Sequence, residues 1–131
     1  MTKRSLDEQQ ILDVLWGATL MGGGGGGPLQ PALELLQAFK RRFPEKAVRI
    51  LLYQPEDMEP ERYAGVTASM GAPTAIKNKD FFAITKNVFD ALLEMAAKLD
   101  PPRTIAYSYG VELGGFNTFV PILASLLSGI P

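Results

Sequence analysis

The sequence predicts an α/β domain with a mostly parallel sheet whose strands are joined by helical crossovers. Short apolar stretches of strand type alternate with longer stretches of helical periodicity, and glycines and prolines separate them. The chain has 131 residues, of which 47% are hydrophobic, so it is long and apolar enough to bury a core as a single domain.

The first element is predicted to be a helix. Ser5 and Glu8 match a capping box, and apolar residues then recur at helical spacing as far as Met21. Six consecutive glycines, residues 22–27, end this helix, because each glycine costs about 1 kcal/mol relative to alanine in a helix interior.

A second helix and a first strand follow the glycines. The helix begins at Pro28 or Pro31, where a missing N–H does no harm, and runs to about Phe43. Residues 47–53 are short, apolar and partly β-branched, which is typical of a buried strand in a parallel sheet.

The rest of the chain repeats the alternation. A second strand spans residues 65–70, Asp80 caps a third helix, and a third strand spans residues 104–109. A last helix carries apolar residues from Phe119 to Leu127. Because strands alternate with helices, we expect parallel pairing with right-handed crossovers.

The end of the sequence predicts that more chain belongs to the fold. Gly129 has the position of a helix C-cap, and Ile130 and Pro131 read as the first residues of another strand. We therefore expect an incomplete N-terminal domain, a truncated part of a larger two-domain protein. The remaining C-terminal part would be one partner of this chain.

Charge and composition exclude several classes of partner and chemistry. The net charge is -1, so we expect neither nucleic acid nor a membrane as a partner. Small-molecule or protein partners are expected instead, and we expect a small-molecule substrate and a homo-oligomer. The chain has no cysteine and no histidine, which leaves carboxylates, hydroxyls, lysines and backbone amides for catalysis. No cofactor is expected in this chain. Neither a signal-peptide pattern nor an apolar run of about 20 residues is present, and this favours the cytoplasm.

The glycine run is the first candidate binding site. It precedes a helix whose N-terminal amides could hold a phosphate or carboxylate, although a flexible connection of low complexity would also explain it. The run lacks the Lys-Ser/Thr of a P-loop. The candidate substrate-binding glycines are Gly23, Gly24, Gly25 and Gly26.

Two further candidates lie where predicted strands end, the edge at which α/β sheets bind ligands. One is Met70-Gly71-Ala72-Pro73-Thr74, which is also ordinary turn chemistry. The other contains Glu112, Gly114, Gly115 and Asn117. Glu112 is a candidate general base or metal-ligand carboxylate, and Asn117 is a second catalytic candidate. An ion-pair partner and a helix cap are the plainer alternatives. No residue can be assigned as a metal ligand.

In series, three motifs resemble the N-terminal domain of the S-methyl thiohydantoin desulfurase family, which is often grouped with hydantoin-utilisation proteins. They are Gly17-Ala18-Thr19-Leu20-Met21 before the glycines, Ser69-Met70-Gly71-Ala72-Pro73-Thr74, and Val111-Glu112-Leu113-Gly114-Gly115-Phe116-Asn117. The resemblance implies an α/β first domain, a mainly β second domain and zinc in the complete protein. It also implies that the glycine loop, residues 70–74 and residues 112–117 line the cleft.

The sequence departs from the family pattern at the glycine loop. There the family continues into Asp-Pro, whereas Gly27 directly precedes Pro28 here. Two functional hypotheses follow. The first is the N-terminal domain of a metal-assisted hydrolase of hydantoin- or thiohydantoin-like cyclic amides, inactive alone. The alternative is a non-catalytic module that binds a nucleotide or anion or serves assembly.

Overall fold

A computed structural model describes residues 3–71 and 78–131. Among these residues, four strands and four α-helices occur, which confirms the α/β class. In chain order the elements are β1 (Arg4–Asp7), α1 (Glu8–Gly22), α2 (Leu29–Arg42), β2 (Arg49–Leu52), β3 (Tyr63–Val66), α3 (Phe81–Ala97), β4 (Ile105–Tyr109) and α4 (Gly115–Ser128). No helix in the described part is long and apolar enough to cross a membrane.

The sheet differs from the expected mostly parallel one, and that expectation was wrong. Residues 3–71 and 78–131 form two separate two-stranded sheets: β1 pairs antiparallel with β2, and β3 pairs parallel with β4. The register of the first pair matches Arg4 with Leu52 and Asp7 with Arg49. Strands β3 and β4 are parallel, and α3 lies between them in the sequence. The predicted strand, helix, strand unit is therefore confirmed for these elements.

The difference between the expected and the observed sheet begins at the start of the chain, where β1 was not predicted. The capping box predicted at Ser5 is formed instead by Asp7, whose Oδ1 accepts from the Gln10 amide (3.0 Å) while Gln10 Oε1 accepts from the Asp7 amide (3.1 Å). Ser5 lies in β1, where the neighbouring Leu6 is buried in the core. A local capping pattern gives no information about the burial of Leu6 or about pairing with β2, because both depend on distant parts of the chain.

The other helices follow their predicted starts. Pro28 is the N-cap of α2, and the Asp80 carboxylate accepts from the Ala83 amide at 3.1 Å to cap α3. The Asp80 carboxylate gives the first turn of α3 an outside acceptor, whereas α2 has no side-chain cap. Pro31 in the first turn of α2 has no N–H that needs a partner.

Helix α4 lies at the centre of the core. It packs against α1, α2, α3 and β4, and its buried side chains come from most of its circumference. A helix that is apolar nearly all round must be enclosed by the rest of its domain. The largest fully buried side chains of the described residues come from the four helices and are Ile11, Leu15, Leu36, Phe39, Phe89, Phe116, Phe119 and Leu123.

The cap assignment can be tested with a matched pair of variants. Asp7→Ala removes the side chain that caps α1 and is expected to lower the free energy of unfolding by about 1 kcal/mol. Ser5→Ala changes an exposed strand residue and should alter the free energy of unfolding by no more than about 0.5 kcal/mol. Urea denaturation measures both free energies. A larger loss for Ser5→Ala than for Asp7→Ala would show that Ser5 caps α1, as the sequence predicted.

Candidate functional site

The glycine loop, residues 22–28, caps the N-terminus of α4. The Asn117 amide donates to the Gly26 carbonyl at 2.8 Å, and the Phe116 amide donates to the Gly27 carbonyl at 3.4 Å. The N-cap residue of α4 is Gly114, which has no side chain to do this. The loop therefore supplies the helix cap that the local sequence lacks.

Close backbone contact explains why glycine occupies both sides of this junction. A Cβ atom built on Gly26 would lie 2.5 Å from the Gly114 Cα atom, and one on Gly115 would lie 2.6 Å from the Leu29 Cα atom. Gly26 also has φ +67°, which side-chain-bearing residues rarely adopt. The close approach of loop and helix thus requires glycine on each.

The side chain of Asn117 joins three segments. Its Oδ1 accepts from the Ser69 amide (2.8 Å), and its Nδ2 donates to the Ser69 carbonyl (3.0 Å) and to Glu112 Oε2 (3.0 Å). Asn117 is 3% exposed, so these bonds form away from solvent. Both amide protons are used, which leaves Asn117 holding the end of β3 and orienting the Glu112 carboxylate.

A cavity of about 860 Å³ opens where these segments meet. The Glu112 side chain is exposed, and its Oε1 lies 3.5 Å from the position a Cβ atom would take on Gly25. Within residues 3–71 and 78–131, the amides of Gly24, Gly26 and Gly27 donate no hydrogen bond. The residues that line the cavity therefore include a carboxylate acceptor and three glycines whose backbone amides have no partner among the described residues.

The cavity brings together most of the residues predicted from the sequence. Those that line it are Gly24, Gly25, Gly26, Met70, Gly71, Glu112 and Asn117. Gly23 instead is the left-handed C-cap of α1, and Gly114 and Gly115 are buried at the start of α4, where their role is close packing. Ala72, Pro73 and Thr74 lie outside the described residues.

Several lining residues were not predicted as site residues. Ser69 contributes its backbone, which carries no side-chain signal, although it stands in the second motif of the family resemblance. Lys79 carries no motif signal in the sequence, and in the structure it is exposed at the cavity wall. Gly27 and Phe116 lie within segments that the resemblance places at the cleft, although neither was named as a site residue. The remaining lining residues are small or apolar and shape the wall: Thr19, Pro28, Ala68, Phe81 and Ile84.

The donor set does not fit a metal centre by itself. Three or more protein ligands are usual for catalytic zinc, and no group of three histidine, cysteine or carboxylate side chains occurs in the part of the chain that is described. Glu112 is the one carboxylate among the described lining residues.

The fold and site define an α/β domain with a glycine-lined cavity built at a strand end and a helix N-terminus. A family model described as S-Me-THD-like, N-terminal domain, matches residues 9–131, so the chain belongs to this family. The resemblance read from the three motifs is thereby confirmed. No curated protein and no solved structure matches the chain significantly.

The packing of the glycine loop against α4 can be tested by substituting one glycine at the contact and one glycine away from it. In Gly114→Ala the new methyl group would collide with the backbone of Gly25 and Gly26, and we expect the free energy of unfolding to fall by about 1–3 kcal/mol. Gly17→Ala meets no atom within 4 Å on α1 and should stabilise by about 0.5–1 kcal/mol. Equal effects in urea denaturation would contradict the packing described here.

Proposed function

We propose that this chain is the N-terminal domain of an enzyme that hydrolyses hydantoin- or thiohydantoin-like cyclic amides, and that it is inactive alone. The observation that carries the proposal is the Glu112 carboxylate, held by Asn117 in a cavity that also presents glycine amides. Membership of the S-Me-THD-like family supports this substrate class.

The polar groups of the cavity complement the edge of such a ring. A hydantoin places N–H donors next to carbonyl acceptors, and a thiohydantoin replaces an oxygen by sulfur. Glu112 can accept from a ring N–H, while the amides of Gly24, Gly26 and Gly27 can donate to a ring carbonyl. A few polar groups placed in this way fix the orientation of a small ligand.

Glu112 would act as the proton acceptor in the hydrolysis. Water adds to the ring carbonyl carbon as Glu112 takes its proton, and the glycine amides stabilise the oxyanion. The C–N bond then breaks as Glu112 returns the proton to the ring nitrogen, which opens the ring. Asn117 is a positioning residue in this scheme, because its amide protons are bonded to Ser69 and Glu112 rather than free for substrate.

Zinc in the complete protein remains part of the proposal, but the described residues of this chain do not provide its site. One lining carboxylate is too few ligands, so the metal would be held by residues of the C-terminal part. No step proposed for Glu112 passes through the metal. The dependence on those further ligands is the reason to expect no turnover from this chain alone.

Nucleotide or anion binding is the second candidate. The unpartnered glycine amides and the nearby Lys79 favour it, since backbone N–H groups and a cation together attract phosphate. Glu112 opposes it, because a carboxylate in the same cavity repels an anion. The charge of this one residue therefore distinguishes the two candidates.

The test is a titration of the ¹⁵N-labelled chain with hydantoin, 2-thiohydantoin, inorganic phosphate and AMP, followed through the amide signals of the glycine loop. We expect the cyclic amides to shift these signals. Glu112→Gln keeps an acceptor for Asn117 but removes the charge, and should weaken cyclic-amide binding about tenfold. The matched control Glu45→Gln, at an exposed residue outside the cavity, should leave the affinity unchanged.

Two results would overturn the leading proposal. If phosphate or AMP alone shifts the loop signals, and binds more tightly to the Glu112→Gln variant, the cavity is an anion site. If the cyclic amides bind the variant as well as the original chain, Glu112 has no part in recognition.

A further inference from the structure

A second cavity, of about 750 Å³, forms an apolar groove between β2 and β4. One wall comes from β2 and the residues after it, the opposite wall comes from β4, and Pro121 and Ile122 of α4 contribute to the floor. The principal wall residues are Ile50, Leu51, Leu52, Tyr53, Tyr107 and Tyr109. This groove is separate from the glycine-lined cavity in all but Glu112 and Asn117, which line both.

Each strand beside the groove has a strand partner on one side. In the described residues, β2 is paired with β1 and β4 is paired with β3, so the two sheets end at edges. Edge strands present N–H and C=O groups that can pair with another strand. A two-stranded sheet is also marginal in stability, which makes a further strand favourable.

The chain itself begins to pair at one of these edges. The Ser108 amide of β4 donates to the Pro131 carbonyl at 2.6 Å, and Pro131 lines the groove. Helix α4 connects β4 to this point. A strand, a helix and a return to the first strand form a crossover, which places the next strand parallel to the first.

We propose that polypeptide continuing from Pro131 forms a fifth strand in this groove, parallel to β4. The strand would pair with β4 and β2 at once and join the two sheets into one, in the order β1, β2, fifth strand, β4, β3. It would cover Leu51, Leu52 and Tyr109, which are 43%, 50% and 55% exposed. Apolar, β-branched residues suit such a strand because the groove walls are apolar.

The proposal is independent of the enzymatic function, since it concerns the sheet and needs no ligand. Its test extends the chain after Pro131 with six residues drawn from valine, isoleucine and threonine. A matched extension carries proline at alternate positions, which removes the N–H groups that pairing requires. Thermal unfolding and amide hydrogen exchange are measured for the original chain and for both extended chains.

We expect the β-branched extension to raise Tm by at least about 4 °C. It should also slow amide exchange at least tenfold in both β2 and β4, and the proline extension should do neither. Leu51→Lys should cancel the gain in Tm. The control Leu20→Lys, at an 81% exposed residue of α1 outside the groove, should preserve it.

Two outcomes would overturn the proposal. Equal Tm values for the two extensions would show that no strand forms in the groove. A dimer of the unextended chain in sedimentation, with β2 and β4 already protected from exchange and unchanged by the extension, would show that a second copy occupies it.

Discussion

The capping of α4 by the carbonyls of the glycine loop is the contact on which the rest of this structure depends. Helix α4 is the centre of the core, and its N-cap has no side chain, so its first amides need partners from elsewhere in the chain. Gly26 and Gly27 provide them, and the glycines on both sides allow the backbones to meet. The loop that borders the cavity is therefore also part of what holds the core helix in place.

This arrangement couples stability to the chemistry of the site. The backbone amide of Asn117 donates a hydrogen bond to the glycine loop, and the side chain of Asn117 is hydrogen-bonded to Ser69 and Glu112. One buried residue thus fixes the glycine loop, the end of β3 and the carboxylate relative to one another. A carboxylate held in this way needs little reorganisation to accept a proton, which is the advantage of a preorganised site. Glu112 and Asn117 also line the groove between the sheets.

Sequence reasoning predicted the helices from their local periodicity and caps. It predicted the parallel pairing of β3 and β4 from the order strand, helix, strand, and it expected the glycine-bearing motifs to meet because two of them follow predicted strands. It missed β1, since Ser5 and Glu8 imitate the capping box that Asp7 and Gln10 form. It also assigned residues 47–53 to a buried parallel strand, although β2 is antiparallel and largely exposed. Strand direction is decided by a distant partner, so periodicity does not contain it. The backbone role of Ser69 and the full engagement of Asn117 likewise depend on contacts 48 residues apart in sequence.

The most direct test of this account is a set of nuclear Overhauser contacts in the isotope-labelled chain. We expect cross-peaks between the α-protons of Gly26 and Gly114, and between the Asn117 side-chain amide and the Ser69 backbone amide. Absence of both sets, with loop glycine shifts at their random-coil values, would contradict it. The glycine loop would then be a free connection, and neither the cap of α4 nor the cavity would exist as described.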